Sequence, residues 1–105
     1  MSLTLPMLQI LIALADEDRH GYGILLEIEK RTAEVRLGTG TLYTAIKRLL
    51  AKGLIEETEE RPAPDLDDAR RRYYRLTPAG RKAAREETGR LAGVVRMARA
   101  KELLR

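Results

Sequence analysis

The chain contains no cysteine, no phenylalanine and no tryptophan, and it has a single histidine. The lack of cysteine excludes disulfides and thiol chemistry and fits a reducing cytoplasm, the expected location. One histidine without cysteine does not assemble a metal site, so neither metal nor another cofactor is expected. His20 is read instead as packing or capping at the start of a helix. No run of about 18 apolar residues is present, so no membrane span is expected. The opening MSLTLPMLQILIALADEDRHGYG is apolar but has no basic leader and no convincing cleavage site, so it reads as a helix rather than a signal peptide. Nucleophile elbow, P-loop, dinucleotide fingerprint and paired histidine ligands are all missing, and an enzyme is not expected.

What is present is a chain of 105 residues that is 44% hydrophobic, enough for one domain with an appended helix. With only four Tyr as aromatics, its core must be aliphatic and alanine-rich. A core that small gains from dimerisation. Twenty Lys and Arg face 16 Asp and Glu, a net charge of +4 that favours a polyanion. The charge is uneven. Glu56 to Asp68 holds seven acids and one Arg, Arg70, Arg71 and Arg72 follow, and Gly80 to Arg105 is basic again.

The stretch LGTGTLYTAIKRLLAKGLI from Leu37 to Ile55 carries the strongest functional signal. Leu42, Ile46 and Leu49 fall at i, i+4 and i+7, an apolar helical stripe with Ala45 and Leu50 beside it. Thr41, Thr44, Lys47, Arg48 and Ala51 fall opposite. No acid occurs between Thr39 and Lys52. Hydroxyls and cations on such a face suit phosphates and base edges in a major groove. Thr39 is read as the N-cap, and Gly53 as the residue that ends the helix in a left-handed conformation.

Around this helix the pattern predicts further elements. A first helix over Leu5 to Ala15 is apolar nearly all round, so it must be covered on two sides, the second most simply by a partner subunit. A second helix over Gly21 to Arg31 turns Tyr22, Leu25 and Ile28 inward. Leu54 to Glu59 and Arg72 to Leu76 read as two strands with a long Pro- and Asp-rich loop between them. Alternation predicts that one of Tyr73 and Tyr74 is buried and the other exposed. Thr77 and Pro78 open a long last helix whose seam is Ala84, Thr88, Leu91, Val95 and Ala98, widened by Val94, Met97 and Leu104. The expected fold is mainly α with a small two-stranded β-wing: a winged helix-turn-helix over residues 1–77, then one C-terminal dimerisation helix over 78–105.

The ordered set HGYGI (His20 to Ile24), GTLYTAIKRLLAKGLIE (Gly40 to Glu56) and RRRYYRLTPAGR (Arg70 to Arg81) resembles the PadR family of bacterial transcriptional regulators. The resemblance spans most of Met7 to Arg81. It implies a winged helix that binds operator DNA, usually as a repressor, and a C-terminal helix that forms a two-fold dimer and packs on the partner's first helix. With one C-terminal helix, the chain resembles the short branch of that family. It departs from the pattern at Asp65, Asp67 and Asp68 of the wing, which phosphates would repel.

The candidate DNA-binding residues are Thr39, Gly40, Thr41, Tyr43, Thr44, Lys47, Arg48, Arg70, Arg71 and Arg72. Thr39 and Gly40 bring backbone N–H groups to a helix start, which favours an anion. Tyr43 matches the tyrosine of the family's GTLY, with a ring beside the core and a hydroxyl toward phosphate. For Arg70 to Arg72 the choice lies between clamping phosphate and pairing with the Asp65 to Asp68 cluster. The candidate dimer interface is Leu5, Leu8, Leu11, Ile12, Leu91, Val94, Val95 and Ala98. By resemblance, a small hydrophobic effector would sit near that interface against Met7, Leu8, Leu11, Val94 and Met97. The alternative function is a protein-interaction module that turns the same basic face to an acidic protein partner.

Overall fold

The computed structural model describes residues 3–32, 37–59 and 72–105. Arg70, Arg71 and the wing acids Asp65, Asp67 and Asp68 lie outside the described residues.

Helix α1 (Leu5–Ala13) starts where Thr4 Oγ1 accepts the Met7 N–H at 3.3 Å, with Pro6 in the first turn. It ends at Ala13 rather than Ala15. Arg19 Nε donates to the Ala13 carbonyl at 2.8 Å, satisfying an acceptor that the helix leaves open at its end. Strand β1 (Arg19–His20) and helix α2 (Gly21–Arg31) follow, then helix α3 (Thr39–Ala51), strands β2 (Ile55–Thr58) and β3 (Tyr73–Leu76), and helix α4 (Pro78–Ala100).

The sheet has three antiparallel strands in the order β1-β3-β2, one more than the pattern predicted. β1 is too short to show alternation, and only its pairing with β3 defines it, Arg19 opposite Tyr74 and His20 opposite Tyr73. The extra strand corrects a second expectation. Tyr73 and Tyr74 are both buried, at 8% and 5% exposure. β3 is the central strand. Tyr74 joins the main core, while Tyr73 meets the His20 ring edge-on at 5.2 Å between centroids. His20 also caps α2, its Nδ1 accepting the Gly23 N–H at 2.9 Å, as expected of it.

The core is aliphatic. Met7, Ile10, Leu11 and Leu14 meet Ile24 and Ile28 of α2, Leu42, Ile46 and Leu49 of α3, then Leu54 and Ile55. On α2 the buried stripe is Gly21, Ile24 and Ile28, whereas Tyr22 is 56% exposed, against expectation. The reason is Gly21. A Cβ there would fall 2.6 Å from the Tyr43 hydroxyl oxygen, so α2 turns its bare glycine to α3 and Tyr22 rotates outward.

Gly53 ends α3 at φ +71°, as read from the sequence. Leu54 then docks α4. The Thr77 N–H donates to the Leu54 carbonyl at 3.2 Å, and the Thr77 hydroxyl donates to the Gly53 carbonyl at 2.7 Å while accepting the Gly80 N–H at 3.0 Å. A Cβ on Gly80 would lie 1.9 Å from the Leu54 carbonyl oxygen, so only glycine fits. Arg81 adds a hydrogen bond to the Ala15 carbonyl at 3.0 Å. No described helix is long and apolar enough to cross a membrane.

Candidate nucleic-acid interface

α3 buries Leu42, Ala45, Ile46 and Leu49 and exposes Thr39, Gly40, Thr41, Tyr43, Thr44, Lys47 and Arg48. The two sets alternate as the sequence requires of an amphipathic helix. Thr39 is not the N-cap. Gly38 occupies that position without a side-chain hydrogen bond, and Thr39 is the first helical residue. The Thr39 hydroxyl therefore caps nothing at this end, and the first turn carries no acid. Among the described residues, neither Lys47 nor Arg48 is ion-paired.

The exposed face has two borders. Thr41, Thr44 and Arg48 form one stripe, at i, i+3 and i+7, toward the start of α1. Thr4, Pro6 and Met7 of α1 share a groove of about 540 Å³ with Gly40, Thr41, Thr44, Ala45 and Arg48. Tyr43 and Lys47 form the other stripe, toward α2, and the Tyr43 ring lies over Gly21 while remaining 48% exposed. Sequence reading did not single out Thr4 or Pro6. Both are legible as a helix start, but nothing local says that this start lies beside α3.

Of the three wing arginines, only Arg72 is described. It is exposed, and its Nη1 pairs with Glu57 Oε1 at 3.2 Å across β2 and β3. Behind the face, Arg75 pairs with Asp18 at 3.1 Å, tying the turn after α1 to the central strand. Asp16 is held below the ordinary carboxylate range: desolvation acts upward, but hydrogen bonds from Arg19 and the local backbone, with the Arg19 charge, outweigh it. Burial pushes the Tyr74 phenol above its ordinary value, reinforced by the Glu57 charge and opposed by Arg72.

The candidate dimer residues divide. Leu8 and Leu11 are buried within this chain, at 4% and 0% exposure. Leu5, Ile12, Leu91 and Val94 stand 57%, 52%, 40% and 51% exposed, with Val95 and Ala98 partly covered. The candidate effector walls are not brought together within one subunit. Met7 lines the groove beside Thr41, Leu11 lines a small recess at the base of α4, and Val94 and Met97 lie exposed farther along that helix.

Three helices with the third turned outward, backed by a small antiparallel sheet and followed by a long helix, define a winged helix-turn-helix protein of the DNA-binding class. The model of the transcriptional regulator PadR-like family matches residues 10–86. Transcriptional regulator Rv3488 of Mycobacterium tuberculosis is 38% identical over 89 residues, covering 85% of this chain and 78% of that protein. A 37.1 kDa protein of transposon Tn4556 from Streptomyces fradiae is 42% identical over 83 residues, 79% of this chain. The match spans only 22% of that protein's length. Bacillus subtilis PadR, solved in complex with operator DNA, shares the fold at a TM-score of 0.66 and 19% identity, over 81% of this chain and 48% of that one. The chain belongs to the PadR-like family, whose members are transcriptional regulators rather than enzymes.

Proposed function

We propose that the protein is a sequence-specific repressor that binds operator DNA as a homodimer in the cytoplasm. The observation that carries this reading is the acid-free exposed face of α3, where Thr41, Thr44, Lys47 and Arg48 stand over a fully apolar back. Thr41, Thr44, Lys47 and Tyr43 read base edges or their flanks; Arg48 and the backbone N–H groups at Thr39 and Gly40 hold phosphate. Arg70, Arg71 and Arg72 clamp the backbone from the wing, with Arg72 exchanging Glu57 for phosphate. Residues 1–77 form the reading head, and 78–105 pair two of them through Leu5, Ile12, Leu91 and Val94. Two-fold geometry then sets half-sites about one helical turn apart. A small hydrophobic effector that tunes DNA affinity completes the reading.

The test is fluorescence anisotropy on duplexes tiling the region upstream of the protein's own gene, against a scrambled duplex, over a salt series. One fragment bound well above the scrambled control at about 150 mM salt is the expected result. Equal, salt-labile binding to every fragment refutes specific recognition there and favours an acidic protein as the partner of the basic face.

A further inference from the structure

The groove between the start of α1 and the outer face of α3 has a distinctive lining. Its polar lining comes from three threonines, Thr4, Thr41 and Thr44, and from Arg48. The other lining residues are Pro6, Met7, Gly40 and Ala45, and no carboxylate is among them. In a chain with 16 acids, a groove of about 540 Å³ lined by three threonines and one arginine and by no carboxylate suits an anion. Thr4 is exposed, and its Oγ1 is engaged as an acceptor by the Met7 N–H, which leaves its O–H free to donate. Pro6 has no N–H and offers an apolar edge beside it.

We infer that Thr4, at the start of α1, is a further DNA contact: it donates to a backbone phosphate that Arg48 holds from the opposite wall of this groove. The inference rests on the DNA-binding reading of α3 and deepens it. The reading head then has a second element on the duplex. Contact from α1 fixes the angle at which α3 enters the major groove, because α1 and α3 pack on each other in a core that holds Met7, Leu11, Leu42 and Ala45. Phosphate contacts of this kind position a protein without reading sequence.

Thr4 also caps α1, so its removal alone would confuse stability with binding. The experiment therefore uses Thr4→Asp and Thr4→Ser in the full chain, with melting curves and anisotropy on the operator fragment. Aspartate caps a helix as well as threonine does, but it repels phosphate. Thr4→Asp is expected to melt at or above the wild-type temperature and to bind operator at least tenfold more weakly. Thr4→Ser is expected to match wild type in both measurements. Wild-type operator affinity in Thr4→Asp overturns the inference while leaving the α3 reading intact. If the wild-type protein prefers no duplex, the α3 reading has failed first, and the Thr4 contact falls with it.

Discussion

The Tyr43 ring covers Gly21, with the phenol oxygen 2.6 Å from the place a Cβ would occupy. This contact joins the first residue of α2 to the exposed face of α3. It also holds a half-exposed tyrosine in one orientation, beside Lys47.

Gly21→Ala puts a methyl group against the far end of that side chain, which can swing into solvent. The substitution should change the melting temperature little, because Tyr43 gives way and alanine favours the helix. Operator affinity should fall, because Tyr43 leaves its place on the interface. Thermal melts and anisotropy separate the two. A large drop in melting temperature with unchanged affinity would show that the contact serves folding alone.

Gly80→Ala meets a different obstacle. The added methyl collides with the Leu54 carbonyl, backbone that cannot move without disturbing both Gly53 and Thr77. Overpacking of this kind costs about 1–3 kcal/mol or more. Urea unfolding should show a lower midpoint for Gly80→Ala and none of the tolerance expected at Gly21.

Lys47→Ala and Arg48→Ala should each weaken operator binding without altering the circular dichroism spectrum, and Arg48→Ala should also flatten its salt dependence by about one phosphate contact. The double variant is the decisive measurement. Its affinity for operator at moderate salt, if equal to wild type, would remove α3 from the DNA.

Tyr74 predicts an alkaline limit. Its phenol is raised above the ordinary 10.0 by burial, with the Glu57 charge adding to it. The folded state therefore holds the proton more tightly than the unfolded chain does. That contribution is complete below about pH 10 and is lost as pH climbs through the folded-state value. Absorbance at 295 nm should show a late phenol ionisation, above the ordinary value, that belongs to Tyr74. Tyr74→Phe should remove that late step and soften the loss of stability at high pH.

The helices were legible in the sequence because local signals mark them. Pro6, Thr77 with Pro78, and Gly53 each sit where the structure starts or stops a helix. The α3 stripe was equally plain, since Leu42, Ile46 and Leu49 repeat with a helical period. Long-range pairing decided what was missed. β1 has two residues and exists only because β3 lies beside it, and with that pairing in place Tyr73 and Tyr74 are both buried, where alternation required one of them to be exposed. Tyr22 misled for a related reason. Positions 22, 25 and 28 make an acceptable apolar pattern, but the close approach at Gly21 selects 21, 24 and 28. Thr39 has the chemistry of a cap, and the chain begins the helix one residue earlier than that chemistry suggests. The groove beside Thr4 depends on how α1 crosses α3, which no local pattern encodes.

The seat of Gly80 on Leu54 has a mechanical consequence. Leu54 follows directly on the turn that ends α3, so the long helix and α3 meet at one stiff joint. With 23 residues, α4 is a rod roughly 35 Å long, comparable to the pitch of a duplex. A tilt of about 5° at its root would carry the far end about 3 Å, most of a base-pair step. In the proposed two-fold pair the two roots would act like the hinges of a caliper, and their stiffness would set the gauge between the jaws. Loosening that root would leave each reading head able to grip its own half-site while the pair lost its sense of spacing.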